Sequence, residues 1–428
     1  MKTLARKTLA HTLRQNNATV LAWYLSAGFI FIVANLAILL LLRFVPPEDI
    51  RQATGGLAPP DRAFQQQLWF LWVVAAIAWL FSQNLKASNG QRSPTSDSYQ
   101  LYRAGIAVAA IGVASYLAWA GIAITRGYSP GLLLSVLQGN PAALAASREY
   151  LRPVAGITSV VAFSVPGICA AIASRQPISR WGRWLIAITL AGAVARTFLN
   201  AERLALEEFM LPVLVAIAFR DREKVSQRIR SVLVIAPFFT VLLFAAGEAL
   251  RPSYTSRSGE VGFTSYIYDR LLGYYLSAQV NGEPYARLIP HVPAPNFTAD
   301  AIWNAPLIGS FVTPASTFGF DSRERFAIAL GRYLNPELNT VALLPSILAE
   351  WGIWLAVPVV LLCTIGLTVA SKRCSPDHPA SAAAYGFLLI AALESARYPY
   401  LAQSRFWLAI LGCLIVIAIS RRIKATGA

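Results

Sequence analysis

Apolar runs of membrane-spanning length constrain this sequence more than any other feature. A crossing needs about 20 predominantly apolar residues, and 56% of the 428 residues are hydrophobic while only 14% are charged. A soluble protein carries about a quarter charged residues. The sequence therefore predicts an all-α polytopic membrane protein with about ten transmembrane helices. The predicted spans are 20–43, 67–83, 103–125, 156–174, 184–201, 204–219, 231–249, 346–370, 380–396 and 406–420.

Charge is distributed unequally between the two sides of this threading. Six segments on one side hold 20 of the 37 Lys and Arg residues, all the lysines among them, and only 4 of the 21 acidic residues. Their net charge of +16 equals that of the whole chain, so the other side, with 17 arginines and 17 acids, is neutral. The positive-inside rule places the basic side and both termini in the cytosol. The six segments are 1–19, 84–103, 175–183, 220–230, 371–379 and 421–428.

The positive charge does not indicate nucleic-acid binding, because it lies in short loops between spans, where positive charge sets the orientation of the chain. On the outer side every basic residue is an arginine. The planar guanidinium presents a fork of donors that suits phosphate and carboxylate. We therefore expect the outer side to bind anionic groups.

Three regions follow from the spacing of the spans. Residues 1–249 hold the first seven, residues 346–428 hold the last three, and residues 250–345 form one large outer loop, predicted to be helical and partly re-entrant. A connection of this length is usually functional. A second outer segment carries an amphipathic run, 131–150, predicted along the membrane surface.

The stretch 184–219 tests the threading. As one helix it would be about 54 Å long at 1.5 Å per residue, well beyond a hydrocarbon core of about 30 Å. Two helices meeting near Asn200 are predicted instead. With four cysteines in spans or inner loops and three histidines, no disulfide framework, metal site or cofactor is predicted.

The first candidate site residues lie around this break. In helical register Arg196, Asn200, Arg203 and Glu207 share a face, and ionisable groups at membrane depth are retained mostly for function. The alternative is a structural Arg–Glu network, or arginines extending to the headgroups.

The second group lies in the large outer loop, where Tyr274 and Tyr275 alternate with Arg270 and Arg287. Aromatic rings stack on sugars and arginines bind phosphate oxygens, so the pattern suits a sugar–phosphate ligand. The alternative is a folded cap with an aromatic core and surface ion pairs.

Further candidates are isolated polar residues. His291 is a candidate general base or hydrogen-bonding group, and Glu337 and Glu350 are candidate acids. Asn339 or Thr340 is predicted to cap a helix that runs to Gly352, and a helix N-terminus facing a cleft binds anions.

Two arginines bracket the final outer turn. Arg397 follows Glu394 by three residues and is expected to pair with it, and Arg405 lies on the far side of the turn.

Several of these segments resemble bacterial O-antigen and oligosaccharide repeat-unit polymerases. The resemblance is carried by 201–212 around Arg203, by 335–340 leading into Glu350-Trp-Gly-Ile-Trp, and by the tyrosine-rich stretch ending at Asn281-Gly. The layout of ten or more spans with one large outer loop is also similar. Many members have Asp before the glycine of the later run, where this chain has Glu350-Trp351-Gly352.

The resemblance implies a GT-C-like integral membrane glycosyltransferase in the bacterial inner membrane. Its substrates would be undecaprenyl-diphosphate-linked glycans, joined at the periplasmic face without a metal. Arg203 and Arg270 would stabilise the diphosphate leaving group, supported by Arg196 and Arg287, with Glu337, Glu350 or His291 as base. A chain-length regulator and a flippase are the expected partners.

Two other functions remain open. An O-antigen ligase performs the same chemistry on a lipid A core acceptor. A lipid-linked oligosaccharide flippase would place its site near the middle of the bilayer and would often contain repeats. The long outer loop and the charged clusters near the outer ends of spans favour an outward-facing enzyme.

Overall fold

The computed structural model describes residues 22–85, 98–138, 140–154, 156–199, 204–221, 223–249, 262–305, 308–333, 339–376 and 378–426. Within these ranges every regular element is a helix. The first nine are α1 Ala27–Phe44, α2 Pro47–Thr54, α3 Arg62–Asn84, α4 Ser98–Thr125, α5 Pro130–Leu137, α6 Pro141–Tyr150, α7 Ile157–Ala173, α8 Arg180–Leu199 and α9 Leu204–Phe219. The others are α10 Val225–Ala249, α11 Phe263–Val280, α12 Gly282–Leu288, α13 Asp300–Trp303, α14 Ile308–Phe311, α15 Pro314–Phe318, α16 Ser322–Tyr333, α17 Leu343–Arg373, α18 Ala382–Glu394 and α19 Ser404–Thr426.

Seven of these helices are long and apolar enough to cross a membrane. They are α1, α3, α4, α8, α10, α17 and α19. Each of the ten predicted spans coincides with a helix, but α7, α9 and α18 are shorter than the others. The chain is thus an all-helical polytopic membrane protein, and the count of ten crossings stays a prediction.

The three shorter helices form the centre of the bundle. The last ten residues of α7 are all buried, as are most residues of α9 and α18. Helix α4 packs closely on α7, because a Cβ added to Gly105 would lie 2.6 Å from the carbonyl oxygen of Gly167. Small residues allow such backbone approach between membrane helices, so the glycines permit this contact.

Segments predicted on the cytosolic side meet at one end of the bundle. Lys372 Nζ, near the end of α17, donates to the backbone oxygens of Ser82 and Gln83 at 2.8 and 2.9 Å. Gln176 donates to Ser98 Oγ at 2.8 Å. These contacts join four predicted inner boundaries, and we call this the lysine end.

The stretch 184–219 forms α8 and α9, which pack against each other, as the length argument predicted. The residues at the break, 200–203, lie outside the described part of the chain. The amphipathic run 131–150 is two helices rather than one. Asn140 Oδ1 accepts from the amides of Ala142 and Ala143, and Pro141 occupies the first helical position, so a new helix begins there.

The prediction that Asn339 or Thr340 caps α17 is wrong. The helix begins at Leu343, its N-cap is Ala342, and no side chain caps it. The Ala342 amide donates to Ala278 O at 2.8 Å and the Leu343 amide to Ser395 O at 2.9 Å. Backbone carbonyls elsewhere in the fold thus accept the hydrogen bonds of these two amides.

Helix α17 is interrupted at Gly352, where the run was predicted to end. Gly352 has φ 65° and ψ 165°, a region occupied almost only by glycine. The short half before it, from Leu343, lies against α12, where a Cβ on Gly282 would meet Pro345, and the longer half after it runs to the lysine end. The kink therefore joins the membrane bundle to the predicted large outer loop, 250–345, here called the outer segment.

Candidate functional site

Three arginines act electrostatically on one tyrosine, Tyr398, at the end of the bundle opposite the lysine end. Tyr398 lies in the turn between α18 and α19. Burial raises the pKa of its phenol, and the charges of Arg405, Asp300, Arg323 and Arg397 also act on it. These residues come from the outer segment and from both sides of the final turn. We call Arg323, Arg397 and Arg405 the arginine cluster.

Arg397 is the most enclosed member of the cluster. Its Nε donates to Glu394 Oε2 at 2.8 Å, and Nη2 donates to the same oxygen. Nη1 donates to the Tyr274 hydroxyl at 2.5 Å, and Cζ lies 4.8 Å from the centre of that ring. The predicted Arg397–Glu394 pair is confirmed. With its side chain only 12% exposed, Arg397 chiefly holds Tyr274 and Glu394 in place.

Arg405, in the first turn of α19, is more accessible. Its side chain is 33% exposed, and its Nη1 lies 3.6 Å from Glu208 Oε1. That oxygen also accepts from the Tyr400 hydroxyl at 2.9 Å. Beside Arg405, the buried Gln403 Nε2 has no hydrogen-bond partner among the described residues. A buried donor without an acceptor and a partly exposed arginine thus lie two residues apart in the sequence.

Arg323, on α16, is the second accessible member. Its side chain is 30% exposed and forms an ion pair with Asp300, and its Cζ lies 4.7 Å from the centre of the Phe297 ring. Its Nε is buried and, within the described ranges, bonds to no acceptor. Leaving a buried donor unsatisfied costs about 1–3 kcal/mol, so an anionic ligand would be favoured here.

Helix α11 brings three predicted site residues to this region. Arg270 Nε donates to Glu248 Oε2 at 3.2 Å, and the Tyr266 hydroxyl donates to the same oxygen at 3.2 Å. One turn later Tyr274 contacts Arg397, as described above. Tyr275 follows, and burial, then the nearby Glu394 carboxylate, raise the pKa of its phenol. Tyr274 and Tyr275 therefore adjoin Arg397 and Glu394, whereas Arg270 lies one turn earlier and pairs with Glu248.

The other predicted binding residues lie apart or are not described. Arg287 is exposed and bonds to Glu283, and His291 is exposed and packs edge-to-face on Phe320, with ring centres 5.1 Å apart. Asn339 is exposed.

Arg196 and Glu207, predicted around the α8–α9 break, lie on the two helices that flank it. Arg196 is half-buried in the last turn of α8, and Glu207 lies in the first turn of α9. Arg203 lies outside the described residues, as does Glu337 in the outer segment, so both roles stay predictions.

Glu350 is fully buried at the kink of α17, and both of its oxygens accept hydrogen bonds. Oε1 accepts from the Tyr285 hydroxyl and the Phe297 amide, each at 2.6 Å. Oε2 accepts from the amide and hydroxyl of Thr298 at 3.0 and 2.5 Å. The Thr298 hydroxyl also accepts from Trp351 Nε1 at 2.9 Å. Glu350 thus ties 297–298 to the kink, which is a structural role.

Sequence reasoning did not select Arg323, Asp300 or Tyr398, and it named Arg405 only as a neighbour of the turn. A signal was present at 397–405, where arginines flank two tyrosines, the pattern already used to select Arg270 and Tyr274. The Asp300–Arg323 pair joins residues far apart in sequence, so spacing did not reveal it.

In the described part of the chain, no group of three or more His, Cys, Asp or Glu side chains is arranged to hold a metal ion. The chain matches no protein-family model, no curated protein and no solved structure.

Proposed function

We propose that this protein polymerises undecaprenyl-diphosphate-linked oligosaccharide repeat units of O-antigen or a related surface polysaccharide. The reaction takes place at the periplasmic face of the bacterial inner membrane, with both termini of the chain in the cytosol. The observation that carries the proposal is the arginine cluster around Tyr398, at the end of the bundle opposite the lysine end.

The chemistry is a glycosyl transfer between two lipid-linked glycans. A hydroxyl of the single repeat unit attacks the anomeric carbon of the growing chain. The bond from that carbon to the diphosphate oxygen breaks, and undecaprenyl diphosphate leaves. Negative charge therefore develops on a phosphate oxygen, and donors placed there lower the barrier.

Arg323 and Arg405 are the arginines best placed to meet that charge. Both side chains are partly exposed, and the buried Arg323 Nε and Gln403 Nε2 are donors to which the described residues offer no acceptor. Hydrogen bonds from a guanidinium to phosphate are short and bidentate. We assign these residues to the diphosphate.

Arg397 and Arg270 are more enclosed, and they position other residues. Arg397 positions Tyr274, and Arg270 holds α11 against the end of α10 through Glu248. All of the Glu350 oxygen contacts are internal. We therefore assign removal of the proton from the attacking hydroxyl to Glu337 or His291 instead.

The test is reconstitution in proteoliposomes with a lipid-linked repeat unit as sole substrate. The proposal expects a ladder of products differing by one repeat on a gel. Transfer to a lipid A core with no ladder would replace the proposal with a ligase. Movement of the intact lipid-linked unit across the bilayer without a new glycosidic bond would replace it with a flippase.

A further inference from the structure

A stretch of the outer segment contains no charged residue. Between Asp300 and Asp321, the 20 residues 301–320 include no Asp, Glu, Lys, Arg or His. The outer segment as a whole, 250–345, carries seven arginines. An uncharged stretch of this length, inside a segment whose seven arginines are balanced by seven acidic residues, points to an apolar environment or a buried core.

The stretch is not a buried core. Phe311 is 84% exposed, and Ile302 and Val312 are also exposed. The local structure nevertheless has defined contacts, since Trp303 and Phe318 pack edge-to-face at 5.9 Å and Trp303 Nε1 donates to Pro295 O at 2.9 Å. The exposed apolar side chains therefore project from an ordered framework.

The position of this framework points to the bilayer. Its first helix, α13, packs against the membrane-spanning helix α19. The Asp300 carboxylate, at the start of α13, interacts electrostatically with Tyr398. Tyr398 lies six residues before Ser404, where α19 begins. In the first turn of α19, Trp407 is exposed, and tryptophan is enriched where a span meets the headgroups. The uncharged stretch therefore lies at the level of a membrane boundary.

The backbone limits how deeply this stretch inserts. Its described residues include three helices of four or five residues, α13, α14 and α15, and an irregular connection at 312–313 between the last two. Irregular backbone exposed to lipid does not occur within the hydrocarbon region, because its polar groups would be unsatisfied there. The headgroup zone supplies water and polar partners, so apolar side chains insert while the backbone stays hydrated.

We propose that the described residues of 301–320, here called the interface loop, lie in the headgroup region of the bilayer with Phe311 inserted among the lipids. The partner is the lipid surface next to α19, and the loop fixes the height of the Asp300–Arg323 pair relative to the membrane. This inference does not depend on the reaction proposed above.

A nitroxide label at position 311 tests the proposal. The protein is reconstituted in phospholipid nanodiscs as Phe311→Cys with Cys363, the native cysteine that is not fully buried, changed to Ser. The matched control is Ala327→Cys in the same background, an exposed position on the charged helix α16. Power saturation then compares collisions with oxygen, which concentrates in lipid, and with a nickel chelate, which stays in water.

The proposal predicts that collisions with oxygen dominate at position 311 and that collisions with the nickel chelate dominate at position 327. Dominant nickel accessibility at both positions would place the loop in water and overturn the proposal. Spin–spin broadening or an immobilised label inaccessible to both agents at 311 would also overturn it, because another copy of the chain or another part of the protein would then cover Phe311.

Discussion

Replacing Glu350 with glutamine tests whether this carboxylate is structural or chemical. The amide keeps the size of the side chain but turns one acceptor oxygen into a donor. That group then faces two donors, either the amide and hydroxyl of Thr298 or the Phe297 amide and the Tyr285 hydroxyl.

The expected loss follows from those contacts. Each unsatisfied buried donor costs about 1–3 kcal/mol. The Tyr285 hydroxyl has a second partner in Ser322 Oγ at 2.8 Å, so it can reorient, whereas the backbone amides cannot. Glu350→Gln should therefore lower the free energy of unfolding by about 2–4 kcal/mol.

The assay is titration of the purified protein with sodium dodecyl sulfate in mixed micelles, followed by circular dichroism. Glu324→Gln is the matched control, because Glu324 is exposed on α16, and a surface change of this kind should stay within about 0.5 kcal/mol. If Glu350→Gln unfolds like the wild type but loses glycosyl transfer, the structural assignment of Glu350 is refuted.

Three other predictions use the same unfolding assay. Gly352→Ala should cost about 1–3 kcal/mol, because φ 65° and ψ 165° strain any residue with a Cβ and that Cβ would lie 3.2 Å from Val292 Cγ2; wild-type stability would contradict the kink. Tyr274→Phe should cost about 1.5–3 kcal/mol by removing the hydroxyl that accepts from Arg397; an unchanged midpoint would mean that this bond contributes nothing. Since burial raises the pKa of Tyr398 above its usual value of about 10, the folded state holds that proton more tightly. The contribution of this group to the free energy of unfolding is then fully present below pH about 10 and is lost as the pH rises further. Tyr398→Phe should make the fall in stability at alkaline pH shallower; an identical slope would contradict this prediction.

The sequence was sufficient for features that depend on local composition. Helices occupy all ten apolar runs because apolar residues of the required length determine them. The i,i+3 spacing of Glu394 and Arg397 was enough to predict their ion pair. The contacts of Lys372 with α3 agree with the charge count that placed both segments on one side.

Features that depend on tertiary contacts escaped prediction. Asn339 has the right side chain for an N-cap, but the Ala342 amide pairs with Ala278 on another helix, so the helix begins later. Glu350 has the chemistry of a base, yet a loop more than 50 residues earlier occupies its oxygens. The electrostatic effect of Arg323 on Tyr398 arises only in the folded chain, because 75 residues separate them in the sequence.

Direct binding of undecaprenyl diphosphate tests the central claim, that the arginine cluster holds a lipid diphosphate. Affinity is measured by native mass spectrometry on the reconstituted wild type and on Arg405→Lys, which keeps the charge but loses the forked donors. Arg287→Lys is the control, because Arg287 is exposed and bonds to Glu283 instead. The account predicts that Arg405→Lys weakens binding about tenfold, which corresponds to about 1.4 kcal/mol, while Arg287→Lys binds like the wild type. Equal affinity of the wild type and Arg405→Lys would contradict it.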